Sequence, residues 1–370
     1  EINDNWVNKP MNSLESIFAA WMPQTAADHT TRLRVLKDLA VRYPEIAWRL
    51  CIAQIEPGPR SGSGSHKPKW RNDGLGYGEP LPTWEPIIAF TKDMVEMALI
   101  WKSDYTEAMI CDLVSCLPGL SNEDRDRVWT IMAAWANSAT DREKARVREH
   151  IRQRLLSRRS KRHSNPDDYV ALTDAAKAAR RALEPTDIVQ KHAWLFREHW
   201  LTESAEDLAD LDRDFEKRAE RVAAHRAEAL RDVYATRGVT GVLDLSTQGN
   251  AAFIAGLLLA ERVLSRAEIA DVICAALEPT DALSAGSRQN LIAGLVRGNA
   301  DEAKRQALLD AVSERLPEDE LVRVLLAAAF RLATWQRVDG LSADSRERYW
   351  RDAAPEWFRE EDAEVVEAIE

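Results

Sequence analysis

Apolar residues recur at three- and four-residue steps along most of the chain, which is the period of amphipathic helices. Through 205–237 the series Leu208, Leu211, Phe215, Ala219, Val222, Leu230 and Val233 predicts one long helix. Ser204, with Asp207 three residues on, is placed to cap that helix, and Gly238 to end it. At 1.5 Å per residue it would run roughly 50 Å. Ser121 with Asp124 opens a helix over 122–137, and Thr140 opens one over 141–160. Pro166 and Asp167 stand at the start of 167–183, and 186–200 follows Pro185. Shorter amphipathic stretches follow at 249–264, 266–277, 285–297, 301–316 and 318–335. Their tight connections predict antiparallel packing of neighbours. Only 239–245 (VTGVLDL) has the β-branched content of a strand.

Repetition is visible in these elements. The hexapeptide ALEPTD occurs at 182–187 and again at 276–281, each time between two predicted helices. Helix pairs in the second half recur at spacings in the mid-thirties, within the range of helical solenoids. The fold class that follows is all-α, with irregular HEAT-like repeats in an α-solenoid; a compact multi-helix bundle is the alternative. Residues 56–82 interrupt the pattern with six of the chain's fifteen glycines and five of its fifteen prolines. The expected organisation is an N-terminal helical segment over 1–55, the Gly/Pro-rich loop over 56–82, a helical region with a basic helix over 83–183, and a helical-repeat region over 184–370. The most apolar run, 251–260 (AAFIAGLLLA), is half the ~20 residues of a membrane span. Glu261 and Arg262 close it, so it reads as a buried helix and no membrane partner is expected.

Charge changes the picture at two places. The chain of 370 residues carries a formal net charge of −11, which argues against bulk attraction to nucleic acid or anionic membranes. Within 142–162, however, ten Arg or Lys residues face only Glu143 and Glu149, a local balance of +8 that leaves −19 elsewhere. On a helix Val147, Ile151 and Leu155 form a buried stripe with Arg148, Arg152 and Arg159 aligned beside it. Those guanidiniums are spaced to track phosphates; they are equally able to pair with acidic neighbours such as 203–216. The loop offers a second set of cations, Arg60, His66, Lys67, Lys69 and Arg71, with Trp70 able to stack on a base. Neither GxxxxGK[ST] nor GxGxxG occurs there.

Motifs for other chemistry are absent. Cys51, Cys111, Cys116 and Cys274 lack CxxC spacing and sit among apolar residues, as reduced cytoplasmic core thiols do. His192 and His199, seven apart in KHAWLFREHW, are expected on one helix face, but neither HExxH nor HxxEH fits. No metal site, cofactor or catalytic residue is predicted. Thirteen tryptophans, several at core spacing such as Trp129 with Trp135 and Trp194 with Trp200, predict structural wedges between helices.

The loop PRSGSGSHKPKWR at 59–71, preceded by PEIAWRLCIAQI, resembles segments of very large bacterial multidomain proteins, as does ATWQRVDGLSADSRERYWRDAAPEWF at 333–358. Such proteins join an effector or NTPase region to a long helical region, and some act in anti-phage defence. The resemblance implies that this chain is the helical, sensing or scaffolding part. A first residue other than Met and a last stretch that stops inside a helical pattern (EDAEVVEAIE) fit the same expectation of a piece of a larger protein. The expected function is a non-catalytic interaction scaffold for a protein partner or for other domains of the same polypeptide. The alternative is a nucleic-acid-binding module using the basic helix and the loop cations.

Overall fold

The computed structural model describes residues 9–58, 79–101, 104–155, 173–199, 201, 215–278, 283–299 and 301–354. These form helices and connections, with no strand among the described residues. They fall into two compact units, the first ending at Glu184 and the second beginning at Pro185.

The first unit contains α1 (Pro10–Phe18), α2 (His29–Arg42), α3 (Pro44–Ile55), α4 (Glu85–Leu99), α5 (Glu107–Cys116), α6 (Asn122–Ala136), α7 (Asp141–Arg154) and α8 (Asp174–Ala182). Short polar side chains set the helix starts. The Ser121 hydroxyl accepts from the Asp124 amide, and Thr140 and Glu143 exchange bonds in a capping box. Helices pack mainly on the next element or the next but one. Because α3 packs on α4, the segments on either side of 56–82 share one core, centred on Trp48, Phe90, Met94, Leu113, Trp129 and Ile151.

The second unit contains α9 (Ile188–His192), α10 (Phe215–Ser246), α11 (Ala252–Leu258, continued by a π turn over Leu259–Val263), α12 (Arg266–Leu277), α13 (Ala285–Arg297), α14 (Glu302–Ser313), α15 (Glu318–Ala327), α16 (Leu332–Asp339) and α17 (Ala343–Asp352). The apolar run 251–260 is buried here as α11, and no helix among the described residues is long and apolar enough to cross a membrane.

Three stretches differ from the sequence pattern. Residues 239–245 are helical, not a strand. Gly238, at φ +59° and ψ −146°, kinks α10, after which the helix resumes and buries Val242 and Leu245. A β-preference of about 1 kcal/mol across the whole scale is outweighed by burying two such side chains. The expected helix 186–200 is only α9 followed by a 3-10 turn over Ala193–Leu195. Its later carbonyls are used elsewhere: Arg226 donates to those of Leu195, Glu198 and His199, and the Asn250 and Ala251 amides donate to those of Arg197 and Phe196. His192 and His199 therefore do not share a helix face. The expected helix 318–335 is two helices, α15 and α16. Ala328 is extended, and Arg297 takes the freed carbonyls of Ala327 and Ala328 at 2.9 and 3.0 Å.

Alternate helices run in the same direction and are stitched by arginines. In the second unit Arg315 reaches Asp271, Arg337 reaches Asp310 and Arg348 reaches Asp319, all at 2.8–2.9 Å. In the first unit Arg127 grips Glu96 through both guanidinium arms, and Arg146 reaches Glu107. Where α11 meets α13 the backbones touch. A Cβ on Gly294 would lie 2.1 Å from the Phe253 carbonyl oxygen, and one on Gly256 2.3 Å from that of Leu291.

Candidate interaction surface

The basic helix is where the sequence places phosphate-binding cations, and two of the three lie among the described residues. Val147, Ile151 and Leu155 form the buried stripe beside them. Arg152 chelates Glu149 at 2.6 and 2.8 Å, and that carboxylate is only 7% exposed. Arg148 stands 3.6 Å from Glu184 and donates to the Arg180 carbonyl. Both guanidiniums are thus engaged by Glu149, Glu184 and the Arg180 carbonyl, all inside the first unit. Arg159, Arg60, Lys67, Lys69, Trp70 and Arg71 lie outside the described residues.

A Ser–His contact lies nearby that the sequence did not reveal, because its two members are 35 residues apart. Ser115 Oγ is 2.9 Å from His150 Nε2. Burial, helped by the charge of Arg154, lowers the His150 pKa and favours the neutral imidazole, with Asp112 opposing. Hydrolytic use would require free N–H donors for an oxyanion. Ser115 sits within α5, whose amides are committed to the helix ladder, so the contact bridges α5 to α7. Burial also disfavours the thiolate form of the cysteines. Burial pushes the Cys51 and Cys116 thiols to about 12 and Cys111 to about 11. Among the described residues no three His, Cys, Asp or Glu side chains gather as metal ligands.

The surface that stands out is apolar. Among the described residues the exposed large hydrophobic side chains are Val35, Val41, Tyr43, Trp84, Ile88, Ile100 and Trp350; all but Trp350 lie on α2, α4 or their immediate flanks. The two helices run parallel. Near the start of α2, His29 bonds Asp93 at 2.6 Å and Arg32 stacks over Phe90 at 4.1 Å. Toward their C-terminal ends they part into a groove of about 490 Å³, whose apolar lining includes Leu33, Ala40, Val41, Met97, Ile100 and Trp101. Val41 is 77% exposed and Ile100 59%. Asp38, Lys37, Asp93 and Glu96 supply its polar edge. Of these, Asp93 is hydrogen-bonded to His29 and Glu96 is paired with Arg127, so two of the rim's three carboxylates already have partners.

Compared with protein-family models, curated proteins and solved structures, this chain matches none. The assignment of function therefore rests on the geometry.

The sequence did not point to this groove. Val41 and Ile100 close amphipathic stretches in which an apolar residue reads as core. Their exposure arises because α2 and α4 separate beyond Phe90.

Proposed function

We propose that this chain is a non-catalytic helical-repeat scaffold, an interaction or sensing region of a larger cytoplasmic bacterial protein, which holds a protein partner in the α2/α4 groove. The observation that carries the reading is that six of the seven exposed large apolar side chains among the described residues lie on those two helices and their flanks, with Val41 and Ile100 lining the groove itself. Contiguous exposed apolar surface on a folded domain marks an interaction site. The occupant that fits is an amphipathic helix of the partner. It would lay its apolar stripe between Val41 and Ile100, the mode by which helices enter grooves.

HEAT-like repetition is supported in the second unit. Helices α11, α13 and α15 begin at equal intervals, at Ala252, Ala285 and Glu318. They are parallel, and each is packed on the next. Binding phosphate through Arg148 and Arg152 would break ion pairs already made, which counts against that part of the nucleic-acid alternative; Arg159 and the loop cations lie outside the described residues.

The test is site-specific photocrosslinking in the host cell from a benzoylphenylalanine at position 41. A discrete protein adduct is expected, lost when Ile100 is changed to Asp and absent when the crosslinker sits at exposed Glu347. Crosslinks to nucleic acid alone, or none that depend on Ile100, would overturn the reading.

A further inference from the structure

The second unit has a cleft of its own, between α10 and α11, with a volume of about 500 Å³. This lies within the roughly 300–1,000 Å³ range of small-molecule sites. Its floor is apolar, built from Val222 and Ala223 of α10 and Ile254, Leu257 and Leu258 of α11. Among the described residues its polar wall comprises Arg218, Arg226, Arg262 and the His199 imidazole beside one carboxylate, that of Glu261.

Arg262 is balanced by Glu220, which it grips at 2.7 and 2.9 Å. Arg226 is different. It is 5% exposed, and burial penalises its charge. Its Nε and Nη2 are taken by three backbone carbonyls, while its Nη1 has no partner among the described residues. No carboxylate among those residues pairs with it. A buried cation compensated by carbonyl dipoles and the face of the Phe196 ring, 5.9 Å away, with no carboxylate, in the wall of an apolar cleft, is the complement of an anion attached to an apolar body. The π turn over Leu259–Val263 presents Glu261 and Arg262 at the same opening. Such turns concentrate at functional sites.

We propose that this cleft binds a small amphiphile with one carboxylate head and an unbranched apolar tail, the carboxylate meeting the Arg226 guanidinium and the tail lying on Val222, Ile254 and Leu257.

The experiment is calorimetric titration of the full chain with dodecanoate below its micelle concentration, beside the cationic homologue dodecyltrimethylammonium. Saturable binding of one dodecanoate is expected, with the cation at least about tenfold weaker, since a charge-assisted hydrogen bond is worth that much or more. Ala219→Trp fills the cleft from an exposed wall position and is expected to abolish binding with an unchanged thermal melt. Arg226→Met is expected to weaken it about tenfold or more, and Arg226→Lys less. Should Arg226→Met fail to fold because three carbonyls lose their donor, Ala219→Trp still decides. Equal affinity for both amphiphiles, binding that survives Ala219→Trp, or binding of an acidic leucine-bearing peptide in place of dodecanoate would each overturn the proposal, as would no binding at all.

Discussion

The pairs α2/α4 and α11/α13 are both parallel neighbours one helix apart in sequence, yet one encloses a groove and the other has no space at all. The difference lies in what occupies the crossing. At α11/α13 Gly256 and Gly294 face each other, and Gly298 abuts Leu257 and Ala260, so backbone meets backbone. At α2/α4 the spacer is Phe90, wedged under Arg32 and edge-on to His29, with ring centroids 5.1 Å apart. Bulky side chains hold the axes apart there, and past the wedge the gap is left open. At these two crossings the residues at the contact, Gly256 with Gly294 or Phe90 with Arg32, separate a closed seam from one flanked by a groove.

Replacing the wedge is the strongest way to break this contrast. Phe90 is fully buried, and Phe90→Ala is expected to cost about 3–5 kcal/mol, read from urea unfolding, with loss of groove-dependent crosslinking. Next comes the closed seam. Gly294→Ala puts a methyl group 2.1 Å from a backbone oxygen that cannot swing aside. A loss of about 1–3 kcal/mol is expected, and an unchanged midpoint would mean the backbones do not touch.

Acid should act on the first unit through His150. Its folded pKa lies below the ordinary imidazole value of about 6.5. Its contribution to stability is therefore complete above that pH and is lost as pH falls through it toward the folded value. His150→Gln should flatten the fall in midpoint between pH 7 and pH 5. A curve identical to the parent's would refute the assignment.

Arg127→Ala, which releases Glu96 at the groove edge, is expected to cost under about 1 kcal/mol, and less at high salt. Smallest of all is Val41→Asp. At so exposed a site the midpoint should move by no more than about 0.5 kcal/mol, while crosslinking from a benzoylphenylalanine at position 100 disappears. Groove and fold would then be separable.

The all-helical class was legible because capping residues and apolar periods agreed: Ser121 and Thr140 each cap where the pattern starts, whereas the helix capped by Ser342 was not anticipated. Breaks were less legible where another element supplied the hydrogen bonds. Nothing in 318–335 announces that Arg297 will take the carbonyls at 327 and 328, and nothing in 186–200 announces Arg226. The buried stripe of the basic helix could be read from spacing, whereas Glu184 as a partner of Arg148 could not, since it lies beyond the next helix. The groove was invisible for a related reason. Exposure belongs to the distance between helices, and Gly256 with Gly294 or Phe90 with Arg32 sets that distance only once the chain has folded.

The thiols, buried at Cys51 and Cys116 and half-buried at Cys111, have a practical consequence. Three of the four cysteines, Cys51, Cys111 and Cys116, sit in the first unit with pKa values of about 11–12, and Cys274 is the one in the second. A folded molecule should resist alkylation at the first three, so the rate at which each takes up iodoacetamide becomes a clock for how often the ground beneath the groove opens. Mass spectrometry on the untouched protein can read that clock, and an occupant seated between α2 and α4 should slow it at Cys51 while leaving Cys274 to tick as before.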